Sequence, residues 1–349
     1  MDTSISNLKE LEDIDLYGKV HGVFEKSFQN HEIVFSPNSK SEIIQDPKSK
    51  MTFELKVVDG LGKRPHNRPV QPDATDSAVT KEKIESVKAN NPFAKPEPHL
   101  VIIGDLLGKY RLIMNKYPNV EDHFLLVTKE FVQQDSLLQP IELQMIHTIL
   151  KNLNGSKELK EQDTKFFAFF NSGPESGYSQ FHKHIQFMKL PPHFPVYQTR
   201  LTSNADFFIP NEINVNKHPL VNKSASFKHG ILKIKEEFKD EDERETILAV
   251  LYMFLIRRIL NTFNEKGIDR EKVSYNFVMM DDWMMTVPRR HAKYQDVWQN
   301  SLGYMGLFSA RDEEVRQKML DLGFSKILEE CGFPIEEDEE KITYNEYSY

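Results

Sequence analysis

The stretch from Phe166 to Leu190, FFAFFNSGPESGYSQFHKHIQFMKL, constrains the fold of this chain more than any other. It opens with five apolar residues, Phe166 to Phe170, the length of a buried strand, and Asn171-Ser172-Gly173-Pro174 stops the run at once. Beyond that loop Tyr178, Gln180, His182, His184, Gln186 and Met188 share one parity, while Phe181, Ile185 and Phe187 share the other. The alternation predicts a second strand with two unlike faces, on which His182, His184 and Gln186 point the same way. Beside them lies a loop whose Gly173, Ser176, Gly177 and Ser179 can turn backbone N–H groups inward. Two imidazoles and an amide facing such a loop predict a site for an anionic group.

Two other readings compete on pattern alone. A His pair at i, i+2 is also what a structural or solvated face carries, at roughly even odds. It could equally hold zinc, with His123, His193 or His291 as third ligand. Gln186 tilts the balance, because an amide is a poor zinc ligand and a good neutral donor to a phosphate oxygen. An imidazole is largely neutral near pH 7, so His184 could attack phosphorus without an auxiliary base.

Composition narrows the class. A chain of 349 residues with 39% hydrophobic and 28% charged residues is ordinary for a globular protein and long enough for a sizeable core. No apolar run reads as a membrane span, and the N-terminus lacks the pattern of a secretory signal. Cys331 is the only cysteine, so no internal disulfide or thiolate zinc cage can form within one chain. An intracellular location is expected, cytoplasmic and open to the nucleus as well. The net charge of -8 argues against general nucleic-acid binding, so cations for an anionic ligand must be concentrated locally.

Along the chain, Ile5 to Gln29 carries apolar positions at helical spacing and Met51 to Val58 alternates as a strand. Pro65 to Pro98 is polar and Pro-rich, which predicts a mobile spacer preceded by a solvated Lys63-Arg64 pair. His99 to Ile103, a turn at Gly104-Asp105, Tyr110 to Met114 and His123 to Thr128 read as three strands, followed by a helix from Pro140 to about Leu153. A similar order returns as strand Phe227 to Ile234, helix Glu241 to Lys266 and a hairpin of Ser274 to Met280 with Trp283 to Val287, without a His-x-His. Arg289-Arg290 reads as a solvated pair, with further ligand contacts as the alternative, and most of the 24 Phe residues read as core.

Asn171 through Gln186 resembles the signature of the histidine triad superfamily, in the branch ending His-x-His-x-Gln, and most closely that of the fungal diadenosine tetraphosphate phosphorylases, also called ATP adenylyltransferases. Leu112 to Pro118, His123 to Glu130, Ser274-Tyr275-Asn276, Trp283 with Val287-Pro288-Arg289, Asn300 to Tyr304 and Cys331 to Pro334 stand in that family's order. The resemblance covers nearly the whole chain outside the spacer. It implies an α+β fold, with a HIT-like antiparallel sheet, flanking helices and two pseudo-repeated lobes in one compact unit. The implied spans are N-terminal helices and strand at 1–65, spacer at 66–97, catalytic lobe at 98–195, adenylyltransferase-type lobe at 196–334 and an acidic tail at 335–349.

The resemblance also implies the chemistry, a nucleotidyl transfer that phosphorolyses diadenosine tetraphosphate (Ap4A) to ADP and ATP. His184 would be the nucleophile, His182 its orienting neighbour, and Gln186 and Ser179 would bind the phosphoryl group. Substrate contacts would come from Lys63, Arg64, Asn115, Lys116, Asn171, Gly177, Tyr178 and Gln180, and in the second lobe from Asn300, Ser301, Leu302, Leu307 and Arg311. Arg64 and Arg311 stand where the family has Lys, which leaves the preferred polyphosphate length open. Tyr178 or Tyr304 could stack on adenine. Expected partners are small molecules (Ap4A, ATP, ADP and phosphate), with no nucleic acid and no membrane, for a monomer. No covalent cofactor is expected; a divalent cation such as Mg2+ could accompany the polyphosphate, and its ligands are not readable. A uridylyl transferase of the same superfamily, or a non-catalytic dinucleotide binder, are the alternatives.

Overall fold

The periodicity of the first thirty residues resolves into strand β1 (Ser4–Ile5) and helices α1 (Leu8–Asp13) and α2 (Leu16–Gln29), capped by Asn7 and Asp15, whose side chains accept from Glu10 N and Gly18 N. The computed structural model describes residues 4–37, 39–58, 91–214 and 216–335. Lys63, Arg64, most of the spacer and the acidic tail beyond 335 therefore lie outside the described residues. Strands β2 (Ser41–Gln45) and β3 (Thr52–Val57) pair as a hairpin.

The first half follows as β4 (Val101–Leu106), β5 (Tyr110–Met114), β6 (Phe124–Thr128), helix α3 (Pro140–Gly155), short α4 (Lys157–Glu161), β7 (Phe166–Ser172) and β8 (His184–Lys189). Gly104 and Asp105 lie inside β4 rather than at a turn. The reversal falls at Leu107 and Gly108, both with positive φ. Pro140 opens α3 as expected, with Glu142 Oε2 accepting from Gln139 N–H at 2.8 Å. The second half runs α5 (Tyr197–Ser203), β9 (Gly230–Lys233), α6 (Glu241–Glu265), β10 (Tyr275–Met279), β11 (Trp283–Pro288), β12 (Lys293–Tyr294), β13 (Val297–Trp298), α7 (Ser301–Tyr304), β14 (Leu307–Ala310), α8 (Glu313–Leu322) and α9 (Phe324–Cys331).

These elements build an α+β architecture on one sheet ordered β1-β4-β5-β6-β8-β7-β10-β11-β9, antiparallel throughout except for β1 on β4. The first half contributes strand, helix and hairpin in the spatial order β6-β8-β7; the second contributes the same sequence of elements as β10-β11-β9. The two lobes meet where β7 pairs β10, with Asn171 opposite Asn276. Helices α3 and α6 pack side by side on one face. By length and composition α6 could cross a bilayer, which the sequence reading did not anticipate, but its apolar stripe, Leu248, Leu251, Leu255 and Ile259, is buried in the core on the sheet.

Phe166 to Phe170 is apolar throughout because both faces of β7 are covered. Phe166, Ala168 and Phe170 enter the core under α3 and α6, while Phe167 and Phe169 enter a second core with Trp283 and Tyr304. The N-terminal hairpin does not stand alone, because β3 pairs in parallel with β14 and Phe53 packs against Phe308 and Phe324.

Candidate active site

Strands β7 and β8 are paired only from Phe166–Lys189 to Phe169–Gln186, and beyond Gln186 they part. The buried Gln134 side chain fills the gap, donating through Nε2 to Asn171 O (2.9 Å) and His184 O (3.3 Å) and accepting from His184 N–H (2.8 Å). The long alternating strand expected from Tyr178 is thus shorter. Residues 178–183 form a loop tied to 132–134 by Lys183 N–Val132 O and Gln134 N–Phe181 O, and β8 begins at His184. Lys183 turns into the core, where Nζ donates to Glu142 (2.6 Å) and Leu137 O (2.8 Å).

His184 is 4% exposed and its ring is fixed by chemistry. Nδ1 lies 2.9 Å from the His182 carbonyl oxygen, which can only accept, so Nδ1 carries the proton and Nε2 keeps its lone pair. Burial pushes the ring pKa down to about 4, so the imidazole is neutral at physiological pH. His182 is held on both nitrogens. Asn91 Nδ2 donates to its Nδ1 (2.6 Å), and Nε2–H faces Glu130 O (3.1 Å) and Thr128 Oγ1 (2.8 Å). Burial lowers its pKa too. With no nitrogen left for substrate, His182 acts on its neighbour through its backbone carbonyl.

Gln186, two residues on, accepts from His123 Nε2 at 3.1 Å, which leaves its NH2 for a ligand, and Asn115 Nδ2 lies 3.3 Å from the same nitrogen. The zinc reading finds no support in this geometry. His123 is spent on Gln186, His193 pairs with Asp163 at the surface, and among the described residues no three His, Cys, Asp or Glu side chains are grouped to hold a metal.

These groups open on a cavity of about 520 Å³. His184, Gln186, Ser179, Gln180 and Gly177 line its polar part, with Asn115, Lys116 and Asn300. One apolar set comes from Pro92, Phe93, Pro96 and Leu100; a second comes from Trp298, Leu302, Leu307, Val315 and Met319. Lys116 is bonded to Glu97, whose carboxyl it holds below the usual range, and Arg311 lies 3.1 Å from Asp312. Both pairs are solvent-accessible, with side chains 41% to 63% exposed, so an incoming anion can displace the carboxylates at small cost.

Several residues expected to touch substrate stand behind the cavity wall instead. Asn171 Oδ1 accepts from Asn276 Nδ2 (2.8 Å), Ser301 N (3.1 Å) and Ser301 Oγ (2.6 Å), which removes both Asn171 and Ser301 from the lining. Tyr178 packs edge-on against Phe181 outside the cavity. Tyr304 is fully buried under Arg289, so neither tyrosine is placed for base stacking; the wall instead carries the exposed Trp298 and the partly exposed Tyr117. Arg289 is not solvated but completely buried. Gly177 adopts φ +84°, and a Cβ there would lie 2.2 Å from Gln299 O, so the Gly177 loop and the second lobe touch backbone to backbone.

Sequence reasoning missed Gln134, Asn91 and Phe93. Residues 91–97, assigned to a mobile spacer, instead cover the site, with the Phe93 ring 5.3 Å from that of His184. A lone Phe after Asn91-Pro92 in a polar stretch was the available signal.

The Ap4A phosphorylase N-terminal domain model matches residues 15–202 and the ATP adenylyltransferase C-terminal domain model matches residues 223–334. The chain is 32% identical over 329 residues to diadenosine 5',5'''-P1,P4-tetraphosphate phosphorylase 2 of Saccharomyces cerevisiae, covering 92% of this chain and 95% of the yeast protein. It is 29% identical to Protein APA1 of the same yeast, over 96% and 98% of the two chains. The crystal structure of yeast Ap4A phosphorylase Apa2 superposes with a TM-score of 0.75 at 30% identity, over 99% of this chain and all of that one. A second crystal structure of Apa2, in complex with Ap4A, gives 0.74 over 95% and 99%. With a domain model matching more than half its length and a relative this similar along nearly all of it, the chain belongs to the Ap4A phosphorylase family.

Proposed function

We propose that this protein catalyses the reversible phosphorolysis of Ap4A to ADP and ATP, with His184 as nucleophile. A yeast relative is named as a diadenosine tetraphosphate phosphorylase, and the yeast Ap4A phosphorylase Apa2 has been crystallised with Ap4A and with AMP. The observation that carries the mechanism is the hydrogen bond from His184 Nδ1 to the His182 carbonyl, which leaves Nε2 unprotonated at the cavity wall.

Nε2 attacks an α-phosphorus of Ap4A; the new N–P bond forms as the P–O bond to the bridging oxygen breaks, and ATP leaves with that electron pair. An oxygen of orthophosphate then attacks the same phosphorus, the N–P bond breaks and ADP departs. Gln186 NH2, Ser179 and the Gly177 loop take the charge that builds on the phosphoryl oxygens. Gln186 cannot relay a proton to or from water as a third imidazole could, which favours an anionic acceptor already deprotonated. The two apolar sets in the wall suit two nucleoside ends, and Lys116 and Arg311 the phosphates between them. Lys63 and Arg64 would add positive charge from outside the described residues.

The catalytic lobe is assigned to 98–195 and the second wall to 196–334, acting as a monomer on small-molecule substrates only. The chain supplies no covalent cofactor, and any divalent cation such as Mg2+ enters with the polyphosphate. One buried free thiol, Cys331, suits the reducing cytoplasm or nucleus.

The test is trapping. Labelled Ap4A without phosphate, quenched by denaturation, should leave an acid-labile adenylate on His184 in mass spectra, and added phosphate should release it as ADP. His184→Ala should form no adduct and lose at least about 10³-fold in kcat. Normal turnover by that variant would overturn the proposal.

A further inference from the structure

Arg289 is 0% exposed, yet among the described residues no carboxylate contacts it. Its five N–H groups go to five neutral oxygens. Nε donates to Cys331 O (3.1 Å), Nη1 to Ser176 O (3.1 Å) and Asn276 Oδ1 (2.5 Å), and Nη2 to His291 O (2.8 Å) and Gln299 O (3.0 Å). The guanidinium lies 5.3 Å from the centre of the Tyr304 ring. Burying a cation without a counter-charge costs several kcal/mol, and carbonyl dipoles offset only part of that.

The two bonds to Ser176 O and Gln299 O show where a counter-charge could act. In a trans peptide the carbonyl and the next N–H point in opposite directions, and among the described residues no peptide bond is cis. A guanidinium that grips the carbonyls of Ser176 and Gln299 therefore turns the N–H groups of Gly177 and Asn300 away from itself. Gly177 and Asn300 are both in the cavity wall, and neither N–H donates within the protein among the described residues. The molecule already contains one such relay. Arg289 Nη2 holds His291 O, and the N–H across that same peptide, of Ala292, donates to the Glu175 carboxylate at 2.7 Å.

We propose that Arg289 is a positioning residue for the phosphate groups of the substrate: from behind the wall it fixes the Ser176–Gly177 and Gln299–Asn300 peptides with their N–H groups towards the cavity, and its charge polarises both. The inference rests on the nucleotide-phosphate reading of the site given above. It assigns anion recognition to a side chain that touches no ligand and joins the two lobes through one guanidinium.

The experiment compares ATP with adenosine, which shares the base and sugar but lacks the phosphates. In Arg289→Met the Kd for ATP should rise at least about tenfold while that for adenosine changes less than about twofold. Arg289→Lys keeps the charge with fewer donors and should hold the ATP-to-adenosine affinity ratio within about threefold of the unsubstituted protein. Parallel weakening of both ligands, or no loss for ATP, overturns the proposal by reducing Arg289 to a structural strut.

Should the variants fail to fold, 15N labelling of the unsubstituted protein decides. Orthophosphate and ATP should both move the Gly177 and Asn300 amide protons downfield, and adenosine should not; unmoved amides overturn the proposal. A protein that shows these shifts with orthophosphate but never cleaves Ap4A would sink the reaction proposed above and leave the role of Arg289 standing.

Discussion

Lowering the pH from 7 to 5 is expected to remove about 5.5 kcal/mol of stability, above the range in which ordinary carboxylates titrate. Three imidazoles account for that figure, and His182, whose pKa burial also lowers, adds to it in the same direction. His147, His184 and His229 are 1%, 4% and 7% exposed, and burial pushes each ring from the ordinary 6.5 down to about 4. The unfolded chain takes up these protons below pH 6.5 while the native rings stay neutral until about 4. The unfolded state therefore binds more protons throughout that window, and stability falls as pH falls. At about 1.4 kcal/mol per tenfold change in proton affinity, each ring contributes about 1.8 kcal/mol between pH 7 and 5. Together they remove a large fraction of the 5–15 kcal/mol typical of a folded protein, on the order of a third or more. The carboxylates held below their usual range, among them Asp46, Glu97 and Asp312, act only below about pH 4.5. Urea unfolding followed by fluorescence of the buried Trp283 at pH 7, 6 and 5 measures the loss. His229→Gln should shrink it by about a third. A loss under about 1.5 kcal/mol would mean that the rings are charged or hydrated in the fold, and the neutral-nucleophile argument for His184 would go with it.

Other perturbations probe the site directly. Gln134→Leu removes three hydrogen bonds at the fork of β7 and β8 and leaves the His184 amide unsatisfied; a loss of about 2–4 kcal/mol in urea unfolding and at least a tenfold lower kcat are expected. Asn91→Ala frees the His182 ring, and steady-state kinetics should show kcat down about tenfold with a change in Tm under about 3 °C, because residue 91 is partly exposed and its side chain makes, among the described residues, one further hydrogen bond, accepting from Phe93 N–H at 3.0 Å. Gly177→Ala puts a methyl 2.2 Å from Gln299 O at a positive φ, so KM for phosphate and kcat should both worsen, by about 100-fold in kcat/KM. Unaltered kinetics in any of these three would show that the side chain concerned does not set the geometry assigned to it.

What could be read from residues alone follows the range of the forces involved. The Phe166–Phe170 strand, the helices from Pro140 and Glu241 and the hairpin through Trp283 are written in local periodicity, and the motif placed His184 and Gln186 on one face. Where β8 starts was not legible, because residues 178–183 alternate like a strand but find residues 131–134 as partners, which a separate loop decides. Asn91 and Phe93 hid in a Pro-rich stretch whose local chemistry reads as a linker; they are ordered by an imidazole ninety-one residues away. Arg289 beside Arg290 has the look of a solvated pair. Its burial depends on oxygens from five separate positions along the chain, which no local pattern announces.

Those same oxygens explain why a motif confined to one lobe needs the other. Gln134 ties the end of β7 to the start of β8, Asn171 at that strand end accepts from Asn276 across the β7–β10 seam and from Ser301, and Asn276 accepts in turn from Arg289, which reaches the phosphate loop at Ser176 and the second lobe at Gln299. Each link is buried, so an unmet partner costs more than the bond itself is worth, and the chain of bonds has one satisfied arrangement rather than several. An apolar seam would hold the lobes together at least as strongly, but it would let the Gly177 loop and the Asn300 turn slide relative to the His184 ring. Polar bonding across the seam converts the position of one lobe into the orientation of backbone N–H groups in the other, which a reaction between two anions at a single phosphorus requires.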